Sequence, residues 1–150
     1  MELILWRHAE AHDGSPDMAR ELTGKGQKQA EKMATFLRAR IPEDTRILVS
    51  PAKRTQQTAH ALTKHFYTEE ALAPGAAPQD ILDAIGWPDL DTTVLIVGHQ
   101  PSLGQIAALL LANSMTGFSV KKGSVWWLSR HTSDGDYQTN LRLTIAPDSL

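Results

Sequence analysis

The sequence predicts a three-layer α/β fold, helix–sheet–helix, with a mainly parallel central sheet that ends in a C-terminal antiparallel hairpin. Three observations carry this reading. Short apolar runs at residues 3–6, 47–49 and 93–97 alternate with longer stretches of helical periodicity, the order produced by parallel strands joined through crossover helices. The last quarter instead holds two strand-like stretches, 124–129 and 139–145, around the turn residues Ser133, Asp134, Gly135 and Asp136, which is a hairpin pattern. Finally, the 150 residues contain no repeat, low-complexity tract or linker, so 1–150 reads as one domain.

The first strand is Leu3-Ile4-Leu5-Trp6, four consecutive apolar residues bounded by charge. A run that is apolar on both faces suits a strand buried inside a parallel sheet. It delivers Arg7 and His8 side by side at its carboxyl end, where ligands bind in open α/β sheets. Residues 9–21, with Gly14, Pro16 and several charges, read as a polar loop. Thr23 is the predicted N-cap of a helix beginning near Gly24, whose core face is Ala30, Met33, Ala34, Leu37 and Ile41 and which Pro42 stops. Ile47-Leu48-Val49 forms the second strand, and Pro51 suits the start of the next helix. There Ala59, Leu62 and Phe66 are expected to face the core, with Lys53, Gln56, Gln57 and Lys64 in solvent.

The stretch 67–91 has the weakest pattern: Pro74, Gly75 and Pro78 mark a loop, and 79–85 a short helix. Residues 93–97, β-branched and apolar, run directly into Gly98 and His99, and Pro101-Ser102 leads to an apolar helix at 103–112. In the final hairpin Trp126 and Trp127 point to opposite sides of their strand, so at most one is expected to face the core.

Composition excludes several function classes. Hydrophobic residues at 41% and charged residues at 21% are ordinary for a globular protein. A formal net charge of -2 gives no electrostatic footprint for nucleic acid or an anionic membrane, so neither is an expected partner. An anionic substrate then needs a local cationic pocket. The absence of cysteine removes disulfides, thiol nucleophiles and cysteine metal sites. Only four apolar residues separate Glu2 from Arg7, too few for a signal-peptide core, and the apolar run 106–112 is too short to span a bilayer. A cytoplasmic location is the default expectation. Gly24-Lys25-Gly26 lacks P-loop spacing, and no Gly-x-Ser-x-Gly elbow occurs. His8 and His12 are four apart but follow a strand, where helical pairing on a metal does not arise. No metal or cofactor is expected.

Three strand ends thus release candidate active-site groups: Arg7 and His8 from the first, Ser50 and, one helical turn on, Arg54 from the second, and His99 with Gln100 from the third. Arginine carries a fixed fork of donors matched to phosphate oxygens, and histidine is a nucleophile near neutral pH. Each residue has a plainer reading alone: Arg54 as a solvated helix residue, His99 as a loop hydrogen-bonding group, Ser50 as a helix cap. Their joint occurrence points to phosphate chemistry.

The motifs Arg7-His8-Ala9-Glu10, Leu22-Thr23-Gly24-Lys25-Gly26-Gln27, Val49-Ser50-Pro51-Ala52-Lys53-Arg54-Thr55-Gln56-Gln57-Thr58 and Val97-Gly98-His99-Gln100-Pro101 together resemble the histidine phosphatase superfamily, whose fold is phosphoglycerate mutase-like. Within it the chain looks most like the small SixA-type phosphohistidine phosphatases. The resemblance implies that His8 attacks phosphorus and carries a transient phosphoryl group, which water releases as inorganic phosphate. Arg7 and Arg54 would hold the nonbridging oxygens, and His99, if protonated, would supply a further donor to them, with Ser50 and Gln100 as further substrate contacts. No metal is implied.

Superfamily membership leaves the substrate open. Only 44 residues lie between Arg54 and His99, little room for the inserted helices that cover the pocket in larger relatives. Where those relatives present a Leu-x-Glu acid, this chain has Leu72-Ala73-Pro74. Both features favour phosphohistidine on a histidine-containing phosphotransfer protein, because an alkoxide leaving group needs a proton donor more than imidazole does. Glu69, Glu70, Asp80 and Asp83 are the carboxylates available as a general acid. Two alternatives use the same pocket: a small-molecule phosphomonoesterase, and a noncatalytic phosphohistidine-binding module, which would not need the nucleophile.

Overall fold

A computed structural model describes the backbone of residues 1–150 and every side chain except that of Ser133. Its six strands are β1 (Glu2–Arg7), β2 (Arg46–Val49), β3 (Tyr67–Thr68), β4 (Val94–Gly98), β5 (Val125–Ser133) and β6 (Asp136–Ile145). The four α-helices are α1 (Gly24–Arg38), α2 (Lys53–His60), α3 (Pro78–Ile85) and α4 (Ser102–Ala112). One sheet contains all six strands in the order β3-β2-β4-β1-β5-β6. β3, β2, β4 and β1 are parallel to one another, and β5 pairs antiparallel with both β1 and β6. This is the predicted helix–sheet–helix α/β architecture with a C-terminal hairpin.

Side-chain alternation along the buried strands sorts the core into two layers. Leu3 and Leu5 of β1, Leu48 of β2 and Val94 and Ile96 of β4 pack with α3 and α4. Ile4 and Trp6, Ile47 and Val49, and Leu95 and Val97 pack with α1 and α2 on the opposite face. All four apolar residues of β1 are fully buried, each removing side-chain surface from water worth about 1.5–3 kcal/mol. As expected from strand alternation, only one of the two tryptophans, Trp127, is fully buried in the core, while Trp126 is partly buried and packs on the opposite face. Trp127 packs with α1 and α2, while Trp126 lies on the other face, stacked on Phe118 with centroids 5.3 Å apart.

Several boundaries differ from the sequence reading. α1 ends at Arg38, so Ile41 packs against the core from the connection that follows rather than from the helix. Helix α2 starts at Lys53 after an extended Ala52 and stops at His60, leaving Leu62 and Phe66 beyond it. Its inward face is polar, with Arg54, Thr55 and Thr58 buried beside Ala59, because it faces the carboxyl ends of the strands. Gln56 and Gln57 are not simply solvated: Gln56 donates to the Ser50 carbonyl (2.9 Å), and Gln57 accepts from the Leu22 N–H (2.7 Å). Two-residue β3 is too short and too exposed to leave an apolar signature. The hairpin strands extend toward their turn at Asp134–Gly135, where the Arg130 guanidinium lies 3.7 Å over the Tyr137 ring. Among the described residues, no helix is long and apolar enough to cross a membrane.

The start of α1 clamps the chain just after β1. Thr23 Oγ1 accepts from the Gly26 N–H (2.9 Å), the predicted cap, and donates to Glu10 Oε2 (2.7 Å). The Thr23 N–H donates to the Glu10 carbonyl (3.1 Å), and Gln29 Oε1 accepts from the Glu10 N–H (2.9 Å). This close approach requires glycine at position 26, where an added Cβ would lie 1.9 Å from the Glu10 carbonyl oxygen. Gly26→Ala is expected to destabilise the protein by about 1–3 kcal/mol, the usual range for overpacking. Urea denaturation reads this directly, and an unchanged midpoint would show that the clamp yields freely.

Candidate active site

The sheet order places the carboxyl ends of β2, β4 and β1 side by side, and with them the predicted groups. Arg7 is in register with Gly98 across β1 and β4, and the His8 N–H donates to the Gly98 carbonyl (3.1 Å). His8 and His99 therefore emerge from adjacent strands, their ring centroids 5.3 Å apart and tilted by 53°. The Ser50 N–H donates to the Val97 carbonyl (3.1 Å), which brings the start of α2 to the same rim. From that start Arg54 turns inward, only 4% exposed. Thr58, one turn further, accepts from the Ala9 N–H (3.1 Å) and donates to the Arg54 carbonyl (2.7 Å), tying α2 to the residue after His8.

The hydrogen bonds define the state of each imidazole. His8 Nδ1 lies 2.7 Å from the Ala9 carbonyl oxygen, which can only accept, so Nδ1 carries the proton and Nε2 keeps its lone pair. Burial first, and the charges of Arg54, Arg7 and Arg20 after it, push the His8 pKa down to about 4, although the Ala9 bond opposes the shift. His8 is thus a neutral imidazole with a free nucleophilic nitrogen at neutral pH. His99 is also neutral, its pKa pushed down to about 3 chiefly by burial and then by Arg54.

A neutral His99 can still donate to an anion. Its Nε2 lies 2.7 Å from Ser50 Oγ, which also accepts from the Ala52 N–H (3.3 Å). With the serine hydroxyl donating to Nε2, the ring proton resides on Nδ1, which is buried and has no protein partner. Ser50 is therefore bonded to His99 and also receives a turn N–H at the start of α2.

Both predicted arginines are held from behind. Arg7 Nη1 donates to the Val120 carbonyl (2.8 Å); burial and then the Arg54 charge hold its pKa below the ordinary value. Arg54 Nη1 donates to the Asp17 backbone oxygen (2.9 Å) and its Nη2 to Asp17 Oδ2 (3.2 Å). The Nε of each arginine is buried without a partner. Five buried side-chain polar atoms lack partners among the described residues, and three of them are Arg7 Nε, Arg54 Nε and His99 Nδ1. Three of the five thus belong to residues at this one rim, although buried polar groups are ordinarily paired.

Gln100, expected at the substrate, is committed elsewhere. Its Nε2 donates to the Phe118 carbonyl (3.0 Å) and its Oε1 accepts from the Gly104 N–H (2.7 Å). It staples the segment before β5 onto α4, where Gly104 leaves room: a Cβ there would lie 1.8 Å from the Phe118 oxygen. That segment supplies the Val120 carbonyl that holds Arg7. Of the middle acids, Glu69 caps a short turn through the Ala71 N–H (3.2 Å) and Asp83 pairs with Gln79 on the exposed face of α3 (2.9 Å). Among the described residues, the only carboxylate bonded to any of the four predicted groups is Asp17, with Arg20 beside it. Sequence reading passed over both within a polar loop. Its hydrogen bond with Arg20, and Arg54 nearby, lower the Asp17 pKa, so the carboxylate is ionised and holds no proton to give.

The profile of the Histidine phosphatase superfamily (branch 1) matches residues 3–75. The chain is similar to the phosphohistidine phosphatase SixA homolog of Haemophilus influenzae, 32% identical over 126 residues that cover 73% of this chain and 77% of that protein. It is also similar to an uncharacterized protein of Mycobacterium tuberculosis, 34% identical over 121 residues covering 76% and 75% of the two chains. Its fold matches the structure of the protein histidine phosphatase SixA complexed with tungstate, with a TM-score of 0.82, 22% identity and 99% of each chain covered.

The two depressed imidazoles make the site acid-sensitive. In the unfolded chain a histidine binds its proton near pH 6.5, whereas in the folded protein His8 waits until about 4 and His99 until about 3. The unfolded state binds more protons between these values, so these imidazoles are expected to lower stability as pH falls from about 6.5 toward 4. Histidine NMR should show both rings neutral at pH 6. A half-protonated His8 at that pH would contradict the burial argument.

Proposed function

The chain belongs to the histidine phosphatase superfamily, and we propose that it is a phosphohistidine phosphatase with His8 as nucleophile and a phosphoryl group on His8 as its intermediate. One observation carries the reading: a neutral His8 with its Nε2 lone pair free stands beside the orphan donors of Arg7, Arg54 and His99. Phosphoryl transfer asks mainly for positioning and charge stabilisation, and these groups supply both.

In the first transfer the His8 Nε2 lone pair bonds to phosphorus while the P–N bond of the substrate phosphohistidine breaks. The substrate imidazole leaves neutral, one of its nitrogens protonated and the other taking the bonding pair. His8 becomes a phosphoimidazolium, with its Nδ1–H still donated to the Ala9 carbonyl. Water then attacks phosphorus, the bonding pair returns to Nε2, and phosphate leaves as the water proton passes to phosphate or solvent. Arg7, Arg54 and His99 Nδ1 hold the nonbridging oxygens through both steps.

The choice of phosphohistidine over a phosphate ester rests on the smaller need of an imidazole leaving group for a proton donor. Asp17, the carboxylate bonded at the site, is kept ionised by its arginines and gives no proton to an alkoxide. Access supports a protein substrate. The segment between α2 and β4 contributes one α-helix, α3, which packs against α4 on the sheet face rather than adding the inserted helices expected to cover the pocket in larger relatives. We therefore assign as partner a cytoplasmic histidine-containing phosphotransfer protein.

Rapid quench with labelled phosphohistidine protein is expected to trap acid-labile phosphate on His8, and His8→Ala to lose at least about a thousandfold in kcat/KM. Undiminished turnover by that variant would reject the mechanism. Rates on the phosphoprotein should exceed those on sugar and nucleotide phosphates; the reverse order would favour the phosphomonoesterase.

A further inference from the structure

The loop between β1 and α1 brings a third guanidinium to the site. Arg20 Nη1 donates to Asp17 Oδ1 (3.0 Å), and its Nε donates to the His12 carbonyl (2.7 Å). The other oxygen of the same carboxylate holds Arg54 Nη2 (3.2 Å), so one carboxylate bridges two guanidiniums. Arg20 is only partly exposed, its side chain at 23%, beside the deeply buried Arg54. Its Nη2 makes no hydrogen bond to the described residues, the Nε and Nη1 atoms taking the protein partners. Its charge reaches His8, contributing to the depressed pKa of that imidazole.

Charge balance gives this placement a purpose. With both imidazoles neutral, Arg7 and Arg54 against Asp17 leave one net positive charge at the site. A phosphoryl group near neutral pH carries about 1.5 to 2 negative charges. Arg20 raises the positive excess to two, matching the anion, while Asp17 keeps neighbouring guanidiniums from repelling each other out of position.

We propose that Arg20 contacts the phosphoryl oxygens at the mouth of the site, and that Asp17 is a positioning residue that orients Arg20 and Arg54 together. The chemistry assigned to Arg20 rests on the phosphatase reading, but its contact is testable with phosphate alone. Calorimetric titration with inorganic phosphate at low salt compares the wild type, Arg20→Gln, Arg20→Lys and Asp17→Asn, alongside thermal unfolding and steady-state kinetics on phosphohistidine protein. Arg20→Gln is expected to weaken phosphate binding about tenfold to a hundredfold, the range for loss of a charge-assisted contact. Arg20→Lys should recover part of it, with thermal midpoints alike. Asp17→Asn should bind phosphate at least as tightly as the wild type, having lost a negative charge, yet fall in kcat about tenfold or more as the two guanidiniums lose their alignment.

Wild-type phosphate affinity in Arg20→Gln would overturn the contact, and an unchanged kcat in Asp17→Asn would overturn the positioning role, leaving the phosphatase reading intact in both cases. Arg20-dependent phosphate binding without turnover of phosphohistidine would sink the phosphatase reading and uphold the contact. A wild type that binds no phosphate would sink both.

Discussion

The parallel pairing of β1 with β4 is the constraint on which the site depends. Register from Leu3 with Val94 to Arg7 with Gly98 brings two chain segments about ninety residues apart to a common end. Because parallel strands finish on the same side, the residues that follow them, His8 and His99, share one rim without any loop having to deliver them. β2 on the far side of β4 adds Ser50 and Arg54 by the same rule. A one-residue slip would exchange every inward side chain between the two core layers, so the hydrophobic packing that stabilises the sheet also sets the relative height of the two imidazoles.

Burial then decides the electrostatic character of the rim. Two arginines and two histidines crowded together would repel if all were charged. Desolvation and the guanidinium charges resolve this by keeping both imidazoles neutral, as expected where the charged form loses water and meets like charge. The Ala9 carbonyl, which can only accept, fixes the His8 tautomer, and Ser50 Oγ, donating to Nε2, leaves the His99 proton on Nδ1. Under the proposed chemistry one ring offers a lone pair to phosphorus and the other an N–H to its oxygens, although both have the same overall charge.

Supporting contacts come from the elements flanking the sheet. The cap of α1 grips Glu10, Thr58 of α2 grips Ala9, and the segment stapled to α4 by Gln100 grips Arg7 through Val120. Each uses a small or polar residue where a larger apolar one would block the approach. The polar inward face of α2 is one consequence: it gives up apolar burial at one end to place Arg54, Thr55 and Thr58 around the site.

The residues alone determined the layer architecture, the parallel-then-hairpin order, the Thr23 cap and the convergence of Arg7, His8, Ser50, Arg54 and His99. These follow from periodicity and from which group stands at each strand end, information held within a few neighbouring residues. Tertiary structure decided what those neighbours cannot encode: the neutral state of both imidazoles, the transfer of Gln100 from an expected substrate contact to a structural staple, and the place of Asp17 and Arg20. Each rests on a hydrogen bond or ion pair between distant positions, such as Ser50 with His99 at a separation of 49 residues or Asp17 with Arg54 at 37. A polar loop such as 9–21 has no hydrophobic period to announce where its charges go; only the packed sheet beneath it directs them inward.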